Sequence, residues 1–244
     1  MKNRFSVLFT VDSTALDECS AIQRFRVLNE GLQKLGVKTE IIYLGDYPIG
    51  SPRLFLAGNL PFFLKKAREY QFVHSAGLSV IAMGIAKTFG NYKIIYDVQG
   101  STEEPRLGQT VGFSFRSSYQ ILAASLSLKA AEKKADYFVA VSEPLKEQLI
   151  NHGIKKEKID LIYNAVDTQL FKPVKRKNGD PFTVTYAGGY QKWQGIDNLL
   201  NAIEILKDKK INFKLMGFQE RDRLVKQAIQ ARLGEIVELI DFQP

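Results

Sequence analysis

Short apolar runs alternate with helix-length segments from one end of the chain to the other, and this alternation constrains the fold more than any other feature. The first run, Phe5 to Val11 (FSVLFTV), is almost continuously apolar, which is typical of a parallel strand buried on both faces of a sheet. Apolar residues then recur at every third or fourth position from Ser20 to Leu35, and Gly36 ends the predicted helix. Strand, helix and strand in repeated succession predict a doubly wound α/β fold.

The same alternation continues through the first two thirds of the chain. It predicts further strands at 38–44, 72–74, 93–98, 137–141 and 159–163, and further helices near 54–70, at 79–89, at 119–134 and after Ser142. Doubly wound sheets typically contain five or six strands. We therefore predict a complete Rossmann-like domain over residues 1–166.

The alternation breaks between Asp167 and Pro181, where two prolines, a glycine and a basic run occur together. This composition predicts a linker between domains at 167–181, and a long surface loop is the alternative. The alternation then resumes with three strands and two helices, which predict the first half (βαβαβ) of a second Rossmann-like domain over 182–244. An unfinished sheet has an unpaired strand edge, so we expect self-association through it, which solution scattering would detect.

Composition excludes several classes of protein. The single cysteine, Cys19, excludes an internal disulfide framework and fits a reducing compartment. With only His74 and His152 in the chain, we expect no histidine-based metal site. No apolar stretch is long enough for a membrane-spanning helix or a signal peptide, so we expect a cytoplasmic protein. The net charge of +8 is spread along the chain without a basic arm, so nucleic acid is not an expected partner.

Residues 51–70 mix leucine and phenylalanine with four cationic side chains, and two interpretations stand for them. An amphipathic basic helix would lie on an anionic membrane surface, as a peripheral contact. A helix that faces the core and leaves its lysines in solvent is the alternative. Prolines at 52 and 61 weaken the helix in either case.

A glycine-rich turn, Tyr186 to Gly195 (YAGGYQKWQG), lies between a predicted strand and a predicted helix. Backbone N–H groups at a helix N-terminus bind phosphate, and glycines allow the phosphate to come close. Lys192 would add a point charge. The turn lacks the spacing of the common nucleotide-binding loops, so the residues alone leave open a phosphate site or a purely structural turn.

The stretch that begins with this turn, YAGGYQKWQGIDNLLNAI, resembles the start of the C-terminal domain in retaining glycosyltransferases of family four, which have the two-Rossmann-domain GT-B fold. Further resemblance to that family is found, in the same order along the chain, in KIIYDVQGSTEE, EKKADYFVAVSEPLKEQLINHGI, IDLIYNAVDTQLFKP and FKLMGFQ. The matches cover about residues 90–220, and the first 90 residues agree only as a general Rossmann pattern. The resemblance implies a GT-B-like fold and is uninformative about the sugar.

The resemblance also implies an activity, transfer of a sugar from a nucleoside-diphosphate sugar with retention at the anomeric carbon and without a required metal or other cofactor. The second domain would bind the donor through Gly188, Gly189, Lys192, Gln194, Gly195 and Gly217. The first domain would bind a saccharide or lipid-linked acceptor, with Ser13 and Thr14 on the acceptor side and Gln99 and Glu103 as the catalytic candidates. An ordinary turn explains the two hydroxyls equally well, and a solvated loop carboxylate explains Glu103.

The chain departs from the family pattern at the residues that contact the diphosphate. Gly189 and Gln194 stand where an arginine and a lysine are usual, and in our interpretation Lys192 substitutes for the lost charge. Loss of one charge-assisted contact weakens anion binding by about 1.5–3 kcal/mol. Gln99 stands where a histidine is usual, and an amide can bind a sugar hydroxyl but does not titrate near neutral pH.

The family's paired glutamates, spaced E-x7-E, lie further along the second domain than these 244 residues extend. We therefore expect a C-terminally truncated relative. Two functions stay open, a transferase or a non-catalytic binding module derived from one.

Overall fold

The chain folds into two compact units, each built on a parallel sheet. The computed structural model describes residues 5–12, 20–44, 61–100, 115–169, 171–173, 175, 179, 182–188, 194–218 and 222–241. Unit 1 contains the described residues up to Asp167, and unit 2 contains those from Thr168 onward.

Unit 1 is built on a six-stranded parallel sheet. Its strands are β1 (Ser6–Val11), β2 (Lys38–Tyr43), β3 (Phe72–Ala76), β4 (Lys93–Val98), β5 (Tyr137–Ala140) and β6 (Ile159–Leu161). Its helices are α1 (Ser20–Lys34), α2 (61–67), α3 (Ser79–Lys87), α4 (Phe115–Lys134) and α5 (Glu143–Asn151). The strand order is β2-β1-β3-β4-β5-β6, so the order reverses between β1 and β3. Ligands of such sheets bind outside the carboxyl ends of the strands, near this reversal. We call the side of the sheet at which its strands end the carboxyl edge of unit 1.

Both faces of this sheet are buried, which explains why β1 is a continuous apolar run. Adjacent residues Leu8 and Phe9 point to opposite faces, and both are fully buried. Phe9 packs with Ile22 and Phe25 of α1, whereas Leu8 belongs to the cluster that includes Met83 of α3. The prediction of a doubly covered parallel sheet is confirmed.

Unit 2 is a three-stranded parallel sheet with two helices. The strands are β7 (Phe182–Ala187), β8 (Ile211–Phe218) and β9 (Val237–Asp241), in the order β7-β8-β9. The helices are α6 (Ile196–Ile205) and α7 (Arg223–Leu233). Its core is separate from that of unit 1 and contains Ile196, Ile203, Phe213, Leu215 and Phe218. The predicted self-association through a strand edge stays a prediction.

Two element boundaries differ from the sequence-based ones. Helix α4 begins at Phe115 rather than Tyr119, and β3 extends to Ala76 rather than ending at His74. The extension of β3 includes a buried polar residue, Ser75, whose hydroxyl lies 2.8 Å from that of Thr10 on β1. Such a bond makes a polar residue acceptable inside a sheet, and hydrophobic patterning cannot detect it.

The described part of segment 51–70 is integrated into unit 1. Phe63 and Ala67 of α2 are buried in the core, and the Lys66 ammonium lies 2.8 Å from the carboxylate of Glu40 on β2. These contacts favour the core-facing interpretation of this segment. Among the helices that the structure describes, none combines the length and the apolar character needed to cross a bilayer.

Candidate functional site

A buried group of charged and polar side chains lies beneath the carboxyl edge of unit 1. We call it the Arg24 cluster, and it consists of Arg24 on α1, His74 on β3 and Asp97 on β4. Arg24 Nε lies 3.1 Å from both carboxylate oxygens of Asp97, and His74 Nε2 lies 2.9 Å from Asp97 Oδ2. The side chains are 5%, 8% and 0% exposed in that order. An ion pair this deeply buried is stable only when further hydrogen bonds satisfy its remaining polar atoms.

His74 is fixed in this cluster by both its ring nitrogen and its ring faces. Its ring centroid lies 5.3 Å from that of Phe9 and 5.0 Å from that of Phe25. Since an ionised carboxylate only accepts hydrogen bonds, Nε2 donates to Asp97. Strand β3 continues for two residues beyond His74, and the imidazole ring is buried inside the unit rather than at the strand end.

Asp12 follows β1 directly and was not among the residues predicted for the site. Its Oδ2 accepts a hydrogen bond of 2.9 Å from the Leu78 N–H, just before α3 begins. The carboxylate lies so close to Gly77 that a Cβ there would be 2.6 Å from both of its oxygens. Desolvation of this crowded carboxylate raises the pKa of Asp12, and the bond from Leu78 lowers it in part. A charged residue directly after a buried strand is the signal that could have identified it.

Buried hydroxyls fix the same edge on the other face of the sheet. Thr10 Oγ1 lies 2.8 Å from Ser75 Oγ and 3.2 Å from Ser79 Oγ, and Ser79 Oγ also donates to the Thr10 carbonyl at 2.9 Å. These bonds tie β1, β3 and the start of α3 together. The edge on which Asp12 lies is therefore rigid.

Gln99, the predicted catalytic residue after β4, lies at the same edge. Its Nε2 is buried and has no hydrogen-bond partner among the described residues. A buried amide donor without a partner is costly, so a ligand oxygen is a natural partner for it. The other residues predicted for unit 1, Ser13, Thr14 and Glu103, lie outside the described residues.

The carboxyl edge of unit 2 is formed by close approach of two backbone segments. The Gly188 N–H donates to the Met216 carbonyl at 2.9 Å. Gly217 has φ +98°, and a Cβ there would lie 3.1 Å from the backbone of Gly188. A Cβ on Gly188 would in turn lie 2.8 Å from the Tyr186 hydroxyl oxygen. A larger residue at Gly217 would therefore require the backbone at Gly188 to shift, and one at Gly188 would require the Tyr186 side chain to move.

The start of α6 lies at the end of the same turn. Gly195 occupies the N-cap position with φ +71°, a conformation that favours glycine, and no side chain of the described residues caps the helix. The Tyr186 hydroxyl donates to Gln194 Oε1 at 2.9 Å, which leaves the amide nitrogen of Gln194 as a donor. Desolvation raises the pKa of Tyr186, so its hydroxyl keeps its proton.

The structure thus brings Gly188 and Gly217 into contact and links Gln194 to the same turn through Tyr186. Gly189 and Lys192 lie outside the described residues. Within the described ranges, no three carboxylate, histidine or cysteine side chains come together as a metal-binding group.

Comparison with known families identifies the chain. The model of Glycosyltransferase Family 4 matches residues 22–170, which is more than half of the sequence. The chain belongs to Glycosyltransferase Family 4. The matched stretch contains the whole Arg24 cluster and Gln99, so the cluster lies in the part of the chain that defines membership of the family.

Two curated relatives agree with this family. An uncharacterized glycosyltransferase of Methanocaldococcus jannaschii is 28% identical over 106 residues, which are 39% of this chain and 27% of that protein. The lipopolysaccharide 1,6-galactosyltransferase of Escherichia coli is 32% identical over 81 residues, which are 33% of this chain and 22% of that protein. The matches therefore span about a quarter of the length of each curated relative.

Solved structures show the same fold over nearly the whole chain. The apo lipopolysaccharide outer core galactosyltransferase WaaB matches with a TM-score of 0.64 at 14% identity, over 98% of this chain and 68% of that one. HepE of Anabaena, in complex with UDP and glucose, matches with a TM-score of 0.62 at 18% identity, over 98% of this chain and 70% of that one. The predicted α/β, GT-B-like fold class is confirmed.

Proposed function

We propose that this member of Glycosyltransferase Family 4 transfers a sugar from a nucleoside-diphosphate sugar to a saccharide or lipid-linked acceptor, with retention at the anomeric carbon. The observation that carries the proposal is the approach of Gly188 and Gly217 beside the uncapped start of α6. No side chain of the described residues caps this helix start, so the backbone N–H groups of its first turn have no intrahelical partner. An uncapped helix start of this kind favours a diphosphate.

A uridine nucleotide is the donor class with the most support. HepE, whose fold this chain shares, was solved in complex with UDP and with UDP-glucose. The carboxyl edge of unit 2 offers the N–H groups of the first turn of α6 and the amide of Gln194 to phosphate oxygens, and Lys192 adds the positive charge. Negative charge that accumulates on the departing nucleoside diphosphate would be stabilised by these groups.

In the proposed transfer step, the bond between the anomeric carbon and the β-phosphate oxygen breaks, and its electron pair leaves with the nucleoside diphosphate. A bond to an acceptor hydroxyl oxygen forms on the same face of the sugar, and the hydroxyl proton passes to the departing phosphate oxygen. Gln99 would bind a sugar hydroxyl through its buried Nε2, and Glu103 would contact the acceptor, as would Ser13 and Thr14. We propose that no metal is required, so excess EDTA should leave the transfer rate unchanged.

Calorimetric titration of the chain with UDP and with UDP-glucose tests donor binding. A second titration compares the Gln194→Lys variant with a matched control, Gln227→Lys, which makes the same change of charge on the exposed side of α7. A lysine at position 194 converts a neutral contact with phosphate into a charge-assisted one, so we expect binding about tenfold tighter. The control should bind UDP as the unchanged chain does.

Equal affinity of both lysine variants would place the nucleotide away from the glycine turn. Absence of heat with UDP and UDP-glucose would remove the support for a uridine donor. Tight donor binding without sugar transfer to any saccharide would favour the alternative function, a non-catalytic binding module.

A further inference from the structure

The stretch that leaves unit 1 after β6 is bound by one side chain from α1. We call residues 162–164 the root of the crossing, because unit 1 ends three residues later, at Asp167. Arg24 Nη2 donates to the Ile162 carbonyl at 2.8 Å, and Arg24 Nη1 donates to the Tyr163 carbonyl and to Asn164 Oδ1, both at 3.1 Å. One guanidinium therefore binds three consecutive residues of the root.

Apolar burial does not fix the root in place. All residues from Ile162 to Gln169 are exposed, and the large apolar side chains of the root, Ile162 and Tyr163, are 42% and 60% exposed. Besides Arg24, the bond that ties the root to the sheet is the one from the Ile162 N–H to the Ala140 carbonyl, at 3.0 Å. Among the described residues, the guanidinium therefore supplies three of the four hydrogen bonds that join the root to the rest of unit 1.

The opposite side of the same guanidinium is fixed to the sheet. Arg24 Nε binds both oxygens of Asp97, a fully buried residue of β4, and Asp97 also accepts from His74. Strand β4 leads directly to Gln99. Only arginine can serve a carboxylate and three further oxygens at once, because its five N–H donors are rigidly spread in one plane, whereas lysine has one compact ammonium.

We propose that Arg24 is a positioning residue that fixes the root of the crossing to β4, the strand that leads to Gln99. This role rests on the proposed function in one respect, that transfer requires both a donor bound by unit 2 and an acceptor bound by unit 1. Donor binding, which involves unit 2, does not depend on Arg24. Transfer depends on it, because the stretch that connects the two units starts at the root.

Hydrogen exchange measured by mass spectrometry on the whole chain tests the anchor directly. The Arg24→Lys variant keeps a positive charge beside Asp97 and loses the bonds to the root, so exchange in the peptide 159–169 should become at least about tenfold faster. Arg68→Lys is the matched control, since Arg68 Nε and Nη2 also donate to a backbone oxygen of unit 1, the Phe89 carbonyl. In the control, exchange in 159–169 should be unchanged.

A gentler variant keeps the test decisive if Arg24→Lys fails to fold. Asn164 is exposed, and Asn164→Ala removes one acceptor of the guanidinium, so exchange in the same peptide should rise about threefold. If Arg24→Lys folds, unchanged exchange in that variant would overturn the proposed role of Arg24. If it does not fold, unchanged exchange in Asn164→Ala would do so. Neither result depends on whether the chain binds a nucleotide sugar.

Kinetics separate positioning from a purely structural role. With UDP-glucose as the probe donor, Arg24→Lys should leave the donor Kd within about twofold and lower kcat by about 10–100-fold, since a small displacement of reacting groups has this effect. A parallel loss of donor affinity would overturn the positioning role and leave the proposed function intact. Failure of the unchanged chain to bind UDP-glucose would count against the proposed donor, and the exchange experiment would still decide the anchor.

Discussion

The carboxyl edges of the two units are formed in opposite ways. In unit 1, the edge is fixed by polar side chains that reach across the sheet, namely the Arg24 cluster on one face and the hydroxyls of Thr10, Ser75 and Ser79 on the other. In unit 2, the edge depends on missing side chains, because Gly188 and Gly217 bring two backbone segments into contact. One edge is specified by what its side chains bind, and the other by the space that its glycines leave.

Under the proposed function, this difference would match two kinds of ligand. A sugar acceptor presents many hydroxyls at fixed angles, and oriented groups such as Asp12 and the Gln99 amide can select among them. A diphosphate presents concentrated negative charge, which backbone N–H groups bind without any particular side chain. Substitutions at the edge of unit 1 should therefore cost stability through lost bonds, and substitutions at the edge of unit 2 through added atoms.

The largest effect should follow from breaking the ion pair of the Arg24 cluster. Asp97→Asn leaves the buried Arg24 without its counter-charge, and we expect the free energy of unfolding of unit 1 to fall by about 3–5 kcal/mol. Asp160→Asn on β6, an exposed carboxylate of the same unit, should change it by less than about 0.5 kcal/mol. Urea denaturation followed by circular dichroism measures both. A loss below about 1 kcal/mol for Asp97→Asn would mean that side-chain bonds do not stabilise this edge.

The next effect tests the edge of unit 2. Gly217→Ala adds a Cβ at φ +98° and 3.1 Å from the backbone of Gly188, so both backbone strain and crowding apply, and unit 2 should lose about 3 kcal/mol. Gly153→Ala is the matched control, because Gly153 has φ +90° and nothing within 4 Å. It should lose only the strain energy, about 1–2 kcal/mol. Equal losses in thermal unfolding would show that the approach to Gly188 is not tight.

A third experiment asks whether charged side chains also stabilise the opposite, amino edge of unit 1. Asp136 accepts from Lys87 at 2.5 Å and from the Ile94 N–H at 2.8 Å. Partial burial raises the pKa of Asp136, but these two bonds outweigh it and the pKa lies below its usual value of 3.8. Asp136→Asn should therefore lower the free energy of unfolding by about 1–2 kcal/mol at neutral pH.

The pH dependence of that difference follows from its sign. A lowered folded pKa gives stability that is complete above pH 3.8 and is lost as the pH falls through the folded pKa. The stability gap between the unchanged chain and Asp136→Asn should consequently shrink below pH 4 in denaturation experiments. A gap that stays constant down to pH 2.5 would assign it to packing rather than to charge.

The smallest expected change in stability is at Gly31, a helix glycine with no close neighbours, which contrasts with the tightly packed glycines at the edge of unit 2. Gly31 lies on the exposed side of α1 with nothing within 4 Å of an added Cβ. Gly31→Ala should raise the free energy of unfolding by about 0.5–1 kcal/mol, because alanine favours the helix and restricts the unfolded chain. A higher melting temperature would support this, and a lower one would reveal a need for glycine at position 31.

Local patterns predicted most of the fold, and the roles of the site residues stay predictions. The alternation of strands and helices was correct because the spacing of apolar residues records which face of each element is buried. Gly188 and Gly195 were predicted from the glycine-rich turn and Gly217 from the resemblance to the family, and their role in donor binding stays a prediction. Asp12 was missed because the local signal, a charged residue directly after a buried strand, marks the position without showing whether the carboxylate is solvated or bonded to a helix start.

By itself the sequence determined the doubly wound class, the two-unit plan and the glycine turn, all of which depend on interactions between residues close in the chain. Only the tertiary structure decided that Arg24 binds Asp97, 73 positions away, and Asn164, 140 positions away. The physical reason is that these bonds depend on strand order. Strand β1 lies between β2 and β3, and the arrangement brings α1, β4 and the segment after β6 to one face of the sheet, which no local periodicity records.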